Sequence, residues 1–541
     1  MDTDVLIVGA GPVGLTLAVD LGRRGVRCTL IEQNSAPHMW PKMERCNARS
    51  MEIYRRMGLA EKIRAAGLPA SVPMDVFIVL SLVEPPLLHL PYPSVAEAKK
   101  EIAARNDGIL PLEPYQLISQ YTLEPLLKSV AETLPSVTVR YGCEFVSFTQ
   151  DARSVTAEVK SGGVTSSINA QYLIGCDGGT STIRKQLGIK LSGEGNILQL
   201  RQALYRCDDL FDRIPIGKGR HYHVADSQST QLIVQDSTRH FTLHSVVEKD
   251  EDMAAMFEKT VAMPVQYEML YVGEWRQNLL VADRYAERRV LLAGDAVHLV
   301  IPTGGLGMNT GVGDAVDLGW KLAGTLQGWG GPGLLASYET ERRATGERNV
   351  GASRYASLGR RKWRSQWKPN IHDNTPEGSA TRAKLAAIAD VEQRKTNEMT
   401  GAELGYHYFG SPLVAAEPGD GPPYDFIDYT PSTWPGVRLP HAWLDDGRAV
   451  QDCLGDGYTL IRLGGTGADT SALTAAFRAI GAPFTALDLA GQAARDIYGY
   501  DLILVRPDLH VVWRGNQPPE NPAKLVAIAT GHTAAPDQAR R

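Results

Sequence analysis

The stretch TDVLIVGAGPVGLTLAVDLGRRGVRCTLIE, residues 3–32, decides the fold. The apolar, β-branched run Thr3–Val8 predicts a buried strand, Leu15–Arg24 predicts a helix, and Val26–Ile31 predicts a second strand. The motif Gly9-Ala10-Gly11-Pro12-Val13-Gly14 stands between strand and helix, and the second strand ends on Glu32. In dinucleotide-binding units such glycines permit a tight turn, close approach of a pyrophosphate and close helix packing, while the acid binds a ribose hydroxyl. The order of these parts therefore predicts a Rossmann-like unit.

A second glycine-rich stretch, RVLLAGDAVHLVIPTGGLGMNTGVGDAVDLGWKL at residues 289–322, predicts a site for a large ligand. It begins as a short buried strand at Val290–Leu292, turns at Gly294-Asp295, passes Pro302 and enters a helix near Gly311. The loop glycines lack a Cβ atom, so their backbone N–H groups can lie against a flat or anionic ligand. Since the positive end of the helix dipole points back at this loop, we expect the ligand to carry negative charge.

The composition argues against several classes of protein. With 541 residues the chain is long enough for about three domains. Its net charge is −5 and it has no block of Lys or Arg, which argues against a nucleic-acid or membrane partner. The apolar runs, such as Val76–Leu80, are too short to span a bilayer, and the acidic start lacks the features of a secretory signal. The six cysteines form no CxxC pair, which predicts reduced thiols in a cytoplasmic protein and no metal site.

Four side chains elsewhere are candidates for contacts to the ligand. Lys42 and Arg49 lie before a predicted helix, where they either reach a cofactor phosphate or belong to a solvated helix start. Gln120 lies on the same helix face as Glu124, a position from which its amide can bind a ligand. Asp177 follows a strand in the run LIGCDGG, where its carboxylate either binds the ligand or caps the next helix.

Residues from about 197 to 285 change to alternation of apolar and polar side chains, as in Gln231-Leu232-Ile233-Val234. This period predicts an antiparallel sheet with one face on a core or a cavity. The sheet is inserted between two parts of the nucleotide fold, and the proline-interrupted run Pro69–Pro93 predicts additional short strands. A sheet laid across the Gly304 loop closes a pocket between domains, where small-molecule sites tend to lie.

The predicted fold class is α/β with three domains, one of them interrupted. The nucleotide-binding domain is predicted in two parts, residues 1–190 and 286–358. The inserted substrate domain is predicted at residues 191–285, with a contribution from 70–110. A basic, tryptophan-bearing linker and a helix follow at 359–403, and a small C-terminal α/β domain at 404–541.

Taken together, the motifs at Gly9–Gly14, Asp177-Gly178 and Gly294-Asp295 resemble the three-part signature of class A FAD-dependent aromatic hydroxylases, similar to para-hydroxybenzoate hydroxylase. The C-terminal runs LGY at 404–406 and PGVRLPHAWL at 435–444 resemble the longer branch, which includes phenol, 3-(3-hydroxyphenyl)propionate and polyketide hydroxylases. This resemblance implies an FAD-binding domain of the GR2 type, an inserted β-sheet substrate domain and a thioredoxin-like third domain. Because the third domain contains only Cys453, we expect it to be structural rather than redox-active.

The resemblance also implies roles for individual positions. The residues implied to bind the FAD pyrophosphate are Gly9, Gly11, Pro12, Val13 and Gly14, and Glu32 is implied to bind the adenosine ribose. Gln120, Gly294 and Asp295 match positions at the ribityl and diphosphate region, and Gly305, Gly307, Met308 and Asn309 match the loop at the isoalloxazine edge. Pro302 matches the proline where flavin, oxygen and substrate meet, and Asp177 matches a residue linked to nicotinamide and FAD. Lys42-Met43 departs from the commoner Arg-Ala, which weakens the assignment of a phosphate contact there.

The family chemistry implies a monooxygenase in which NADH or NADPH reduces FAD, O2 adds to the flavin, and the resulting C4a-hydroperoxide hydroxylates a phenolic or polycyclic aromatic substrate. A base that deprotonates the substrate phenol is expected. His221 and His223 share one strand face, and His244 lies on another strand. Each of the three is either this base or a structural histidine.

Two alternatives to the hydroxylase remain open from the sequence. A Baeyer–Villiger or epoxidising flavoprotein would act on a polyketide-like substrate, and a non-catalytic carrier or assembly protein would bind FAD without turnover. Gly464-Gly465-Thr466-Gly467 lacks the context of a second dinucleotide motif, so we expect nicotinamide to visit the flavin domain transiently. The sequence does not choose between NADH and NADPH. The family resemblance implies that a homodimer is expected.

Overall fold

The computed structural model describes residues 1–39, 42–463 and 467–533. The first three residues of the Gly464–Gly467 run therefore lie outside the described residues. The strands and helices of the first 190 residues are β1 (Thr3–Val8), α1 (Pro12–Arg23), β2 (Cys28–Glu32), β3 (Arg45–Cys46), α2 (Ala48–Arg56), α3 (Ala60–Ala66), β4 (Val76–Val79), β5 (Leu88–Leu90), α4 (Val95–Ala104), β6 (Gln116–Leu117), α5 (Gln120–Ala131), β7 (Val137–Tyr141), β8 (Cys143–Gln150), β9 (Val155–Ser161), β10 (Val164–Gly175) and α6 (Thr182–Gln186).

The central part of the chain carries a long pair of strands and two long helices. Its elements are β11 (Leu191–Arg206), α7 (Leu210–Arg213), β12 (His221–Val224), β13 (Gln231–Val234), β14 (His240–Ser245), α8 (Asp252–Val261), β15 (Glu268–Ala282), β16 (Ala286–Glu287), β17 (Val290–Leu292), a 3-10 turn (Gly294–Ala296), β18 (His298–Leu299), α9 (Gly307–Leu326) and α10 (Pro332–Arg364).

The remaining elements belong to a helical connection and a small C-terminal unit. They are a 3-10 turn (Pro369–His372), α11 (Pro376–Glu392), α12 (Arg394–Asn397), α13 (Thr400–Leu404), α14 (Val450–Cys453), β19 (Tyr458–Leu463), α15 (Ser471–Ala479), β20 (Phe484–Leu489), α16 (Gln492–Tyr498), β21 (Leu502–Val505), β22 (Val511–Gly515) and α17 (Pro522–Ala529). Within the described ranges, no helix is both long and apolar enough to cross a bilayer.

The first sheet is the predicted nucleotide-binding sheet. Its main path runs β16-β17-β10-β1-β2-β7, and the strands from β17 to β7 are parallel. The β17 strand joins this sheet beside β10 although about 115 residues separate the two in the chain. As a result the Gly9 turn, the Asp177 turn and the Gly294 turn all lie at the carboxyl edge of one sheet, where ligands of α/β folds bind.

The second sheet is the predicted inserted sheet, with the order β18-β15-β11-β14-β13-β12-β4-β5. It is largely antiparallel, but β12 pairs with β4 in parallel, so the strand from residues 76–79 inserts at the β12 edge. Alternate side chains such as Tyr222, Leu232 and Leu243 form one apolar core on the outer face. The alternation predicted for this region is confirmed, and the opposite face is directed at a cavity.

The third sheet, with the order β20-β19-β21-β22, belongs to the C-terminal α/β unit. A buried charge network joins this unit to α9 and α10. Arg506 donates to both carboxylate oxygens of Glu341 at 2.6 and 3.0 Å and to Asp508, while Lys321 bridges Glu341 and Asp317 at 2.6 and 2.7 Å. The α/β fold class is confirmed.

Two local predictions are wrong. Residues 359–364 are not part of the linker, because α10 continues to Arg364 and buries Ala352, Ala356 and Trp363 along one helical face, and the connection to α11 begins only after it. The helix predicted at residues 51–57 begins at Ala48, because the Asn47 side chain accepts a hydrogen bond from Ser50 N at 2.9 Å and caps it.

Candidate active site

One cavity of about 1060 Å³ lies between the carboxyl edge of the first sheet and the inner face of the second. Most of the residues predicted as a site meet there. Those that line the cavity are Gly9, Gly11, Pro12, Val13, Glu32, Lys42, Gln120, Asp177, His221, His244, Asp295, Pro302, Gly305, Gly307, Met308 and Asn309. Segments separated by hundreds of residues therefore form a single site.

The glycines of the first turn divide into packing and lining positions. A Cβ atom on Gly14 would lie 2.0 Å from Gly9 O, and one on Gly9 would lie 2.3 Å from Cys176 O, so both positions need glycine for close backbone packing. Gly11 differs, since the nearest atom to its added Cβ is Glu124 Oε1 at 4.0 Å. The Gly11 backbone is thus open toward the cavity at the N-terminus of α1.

The acidic residues at this end are held by local hydrogen bonds. Glu32 accepts from Ala10 N at 3.0 Å and from Asn34 N at 2.9 Å, which ties the end of β2 to the first turn. Asp177 accepts from Ser181 Oγ at 2.6 Å and from Ile183 N at 3.1 Å. Both interpretations of Asp177 therefore fit its position, because it organises the start of α6 and also lines the cavity.

Gln120 and Glu124 form a pair on α5, as predicted from their spacing. Gln120 Nε2 donates to Glu124 Oε1 at 2.6 Å. Burial raises the pKa of Glu124 to about 7, and the hydrogen bond from Gln120 opposes this shift. Because Glu124 faces Gly11, its protonation state sets the local charge beside the first glycine turn.

The segment around β3 holds the second glycine loop in place. Arg45 Nη2 donates to Gly304 O at 2.5 Å and forms an ion pair with Glu403 at 3.2 Å. Asn309 accepts from Asn47 N at 2.9 Å and donates to Gly305 O at 2.6 Å. Gly304 and Gly305 have φ of +91° and +65°, a region that favours glycine, so the loop turns sharply between these anchors.

The inner face of the second sheet supplies the rest of the wall. Apolar side chains come mainly from β11 and β15, including Leu198, Leu200 and Trp275, whereas β13 and β14 present Gln231 and Thr242. Because β15 also presents Arg276 and Gln277 and β13 also presents Ile233, the wall is mixed. We call the patch of Leu198, Leu200 and Trp275 the apolar side and the wall around Gln231 and Thr242 the polar side.

His221 lies on the polar side with Glu44, which hydrogen-bonds to His221 Nε2 at 2.8 Å. Burial lowers the pKa of His221, and Glu44 opposes that shift, so the ring is neutral near pH 7 and donates its Nε2 proton to the carboxylate. Burial also lowers the pKa of His244, to about 4. Both histidines that line the cavity are thus poised as neutral groups.

The structure does not bring four of the predicted residues to the cavity wall. Gly14 and Gly294 lie behind it, in close contact with Gly9 and Val13. His223 shares the face of His221 but packs against Trp363 of α10, and Gln393, between α11 and α12, donates its amide N–H to His223 Nε2 at 3.1 Å. Arg49 faces the C-terminal unit, where its Nη2 donates to Asp508 O at 2.7 Å. The arginine of this segment that lines the cavity is Arg45.

Known families match both ends of this architecture. The family described as FAD binding domain matches residues 2–353, and the family described as aromatic-ring hydroxylase, C-terminal, matches residues 432–536. The FAD-dependent monooxygenase apdD of Emericella nidulans is 33% identical over 97% of this chain and 90% of its own.

The chain belongs to the FAD-dependent aromatic-ring hydroxylases. Aklavinone 12-hydroxylase DnrF of Streptomyces peucetius is 31% identical over 85% of this hydroxylase and 91% of its own chain. A solved structure of RebC with bound 7-carboxy-K252c shares 32% identity and a TM-score of 0.90, covering 98% of this chain and 99% of the other. Aklavinone-11 hydroxylase with FAD and aklavinone shares 27% identity and a TM-score of 0.82 over 98% of this chain and 99% of its own. The chain is thus a flavoprotein monooxygenase.

The residues of this hydroxylase fit FAD. The open backbone at Gly11, the helix N-terminus of α1 and the acid Glu32 suit a pyrophosphate and a ribose. The loop from Gly304 to Asn309 offers a second glycine-lined wall on the same cavity, close to the substrate sheet. A flavin dinucleotide is long enough to need both ends of such a cavity.

Sequence reasoning missed several residues that line the cavity of this hydroxylase. Among them are Glu44 and Arg45 before α2, Arg220 before β12, Trp275 on β15, and Arg360 and Arg364 at the end of α10. The helical spacing of the buried residues Ala352, Ala356 and Trp363 was a signal that α10 continues and carries these last arginines to the cavity.

Proposed function

We propose that this monooxygenase uses NADH or NADPH and O2 to hydroxylate a phenolic or polycyclic aromatic substrate. The observation that carries the proposal is the single cavity shared by the glycine turns and the half-apolar sheet. Such a cavity holds a large cofactor and a flat substrate in contact with each other. Relatives named for aklavinone and for 4-methyl-5-nitrocatechol support an aromatic substrate of one or several rings.

The cofactor end follows from the residues that surround it. Gly9, Gly11, Pro12 and Val13 bind the FAD pyrophosphate, with Lys42 and Asp177 nearby, and Glu32 binds the adenosine ribose. Gln120 and Asp295 hold the middle of the cofactor, and the loop Gly305–Asn309 offers backbone N–H groups to the flavin ring. Gly14 and Gly294 act through packing. Bound FAD supplies the redox and oxygen-transfer chemistry.

The chain itself supplies placement, exclusion of water and a proton path. Leu198, Leu200 and Trp275 cover the apolar side of the substrate, and Pro302 stands between the glycine loop and the sheet. Of the two histidines, His221 is better suited to accept the phenol proton, because Glu44 hydrogen-bonds to its ring, whereas a pKa of about 4 makes His244 a weak base for this step. Deprotonation makes the ring carbon more nucleophilic toward oxygen.

The domain division supports this assignment of roles. We propose that residues 191–285, with 70–110, form the substrate domain and that residues 404–541 form a structural domain locked by Arg506. All six cysteines are unpaired, including Cys453, which agrees with a reduced compartment such as the cytoplasm and with a third domain that performs no dithiol exchange.

The function is tested with purified, FAD-loaded protein and a panel of phenols, naphthols and hydroxyanthraquinones. We expect one compound to accelerate NAD(P)H oxidation at least tenfold and to yield a product with one atom from 18O2 on a ring carbon, in proportion to the nucleotide consumed. A product with oxygen inserted into a C–C bond would instead identify Baeyer–Villiger chemistry. Oxidation that yields only peroxide, or no oxidation with any compound, contradicts the hydroxylase proposal.

A further inference from the structure

The polar side of the cavity contains more positive than negative charge. Arg220, Arg360 and Arg364 face this region, and the nearby carboxylates are Glu44 and Asp226. Arg45 is balanced separately by Glu403, while His221 and His244 are held neutral by burial. Counting Arg220, Arg360 and Arg364 against these two carboxylates leaves one positive charge in excess. Arg361 also lines the cavity but is exposed to solvent, so it is left out of this count.

Arg220 is more deeply buried than Arg360, and neither forms an ion pair with a carboxylate among the described residues. Its side chain is 2% exposed, and its Nε is enclosed without a hydrogen-bond partner among the described residues. The guanidinium lies over the Tyr115 ring, 5.4 Å from the centroid, and no carboxylate approaches within 4.0 Å in the described part of the chain. A buried charge without such a partner is costly unless a ligand compensates it.

Arg360 is similarly placed on the neighbouring element. Its Nη1 donates to the neutral amide oxygen of Gln231 at 3.0 Å, and its Nε has no partner among the residues the structure describes. Burial, and next the charge of Arg364, lower the pKa of Arg360 to about 9. Arg364 differs, because it donates to Val224 O and Thr230 O and lies 3.8 Å from Asp226.

The basic side and the apolar side of the cavity lie at a fixed separation. Arg220 immediately precedes β12 and Gln231 is on β13, whereas Leu200 is on β11, and the sheet order is β11-β14-β13-β12. Three strand spacings separate β11 from β12, which amounts to about 14 Å. A rigid aromatic skeleton with a charged group at one end matches this arrangement.

We propose that Arg220 and Arg360 bind a carboxylate of the aromatic substrate, so that this hydroxylase selects an aromatic acid over its neutral analogue. The proposal rests on the function assigned to the cavity above. Guanidinium groups suit this task because their planar N–H donors match the two oxygens of a carboxylate. The apolar skeleton then extends toward Leu200 and Trp275, which orients the ring relative to the glycine loop.

The test compares acids with their neutral amides on the FAD-loaded protein without nicotinamide. The probes are 6-hydroxy-2-naphthoic acid with its amide and 4'-hydroxybiphenyl-4-carboxylic acid with its amide, and affinity is measured by titration calorimetry. We expect at least one acid to bind tenfold or more tightly than its amide. Arg360→Gln and Arg220→Gln should each reduce the affinity of that acid at least tenfold and change that of the amide less than threefold.

Two variants control for loss of fold and for charge. Arg354 lies on the same helix as Arg360 and forms an exposed ion pair with Glu194. Arg354→Gln should therefore leave the affinities for the acid and for the amide unchanged. Arg360→Lys retains the charge without the planar donor fork and should give intermediate acid affinity. Circular-dichroism melting and FAD content establish that each variant is folded, and the acid-to-amide ratio of the unmodified protein tests the proposal without any substitution.

The proposal is overturned if no acid binds more tightly than its amide, or if the Arg→Gln variants weaken acid and amide equally. It is also overturned if these variants leave the acid-to-amide ratio intact and change only the preference for NADPH over NADH, since the anion would then be a nucleotide phosphate. Turnover separates this proposal from the proposed function. Hydroxylation of neutral phenols without acid preference refutes only the carboxylate site, whereas selective acid binding without substrate-stimulated oxidation refutes only the function.

Discussion

Replacing Arg506 by methionine tests whether the C-terminal unit is locked to the flavin domain by the buried charge network. Arg506 has no exposed side-chain surface and donates to Glu341 twice and to Asp508 at 2.5 Å. Without it, Lys321 stays paired with Asp317 and Glu341, while Asp508 loses its guanidinium partner and keeps only His510 within 4.0 Å among the described residues. Breaking one buried pair in this way costs about 3–5 kcal/mol.

That loss is a large part of the 5–15 kcal/mol that stabilises a typical domain. We expect the urea midpoint of Arg506→Met to fall by an amount that corresponds to about 3–5 kcal/mol. Tryptophan fluorescence and circular dichroism should be followed together, because the transitions of several domains need not coincide. A double-mutant cycle with Glu341→Gln measures the coupling between the two side chains directly.

Arg495 provides the matched control. It pairs with Asp501 at 2.6 Å in the same unit, but its side chain is 46% exposed. Solvent screens such a pair, so Arg495→Met should change the midpoint little. If Arg506→Met unfolds within about 1 kcal/mol of the unmodified protein, or shows no coupling to Glu341, the network does not hold the domains together.

Three further outcomes follow from single positions. Gly14→Ala should strongly lower the melting temperature of the FAD-free protein, because the added Cβ would lie 2.0 Å from Gly9 O. Gly11→Ala should leave the melting temperature unchanged, because the nearest atom to its added Cβ is 4.0 Å away. This variant should bind FAD at least tenfold more weakly in a fluorescence titration. Asn309→Ala should lower the free energy of unfolding by about 1–3 kcal/mol, since it leaves buried groups at Asn47 and Gly305 unpaired; unchanged thermal stability would contradict this. The raised pKa of Glu124 means that the folded protein keeps a proton which the unfolded chain releases between about pH 4.5 and 7. Buried histidines with a lowered pKa, such as His244, change stability in the opposite direction over this range, so the contribution of Glu124 is the difference in unfolding free energy between the unmodified protein and Glu124→Gln. This difference should fall by up to roughly 3 kcal/mol from pH 4.5 to 7 in urea unfolding of the FAD-free protein, and a difference that does not change with pH would contradict the prediction.

The parts of the fold that were predictable from the sequence depend on short-range periodicity. The strand, glycine turn and helix at residues 3–24 are neighbours in the chain, and their side-chain pattern specifies the same unit that the structure shows. The alternation at Gln231–Val234 likewise identified a sheet with two different faces. Reading the segment from residue 359 as a linker failed because the basic residues of α10 obscured a helical face that is buried by distant strands.

The candidate site was predictable only as a set of segments. Spacing placed His221 and His223 on one strand face, but contacts with Trp363 and Gln393 cover His223 and leave His221 at the cavity. Spacing also could not separate Arg49 from Arg45, because the partner of Arg49 is a carbonyl oxygen 459 residues further along the chain. Such choices depend on contacts between elements that are remote in sequence.

The sequence by itself determined the flavin-type Rossmann unit, the order of the three glycine-containing turns, the inserted sheet and the family, because each is encoded in local residue order and period. Only the tertiary structure decided which side chains share the cavity, which histidines are neutral within it, and that Arg220 and Arg360 line it without a carboxylate within 4.0 Å among the described residues. The reason is physical: burial, charge compensation and side-chain direction across a cavity arise from packing between elements, and local periodicity does not specify which elements pack together.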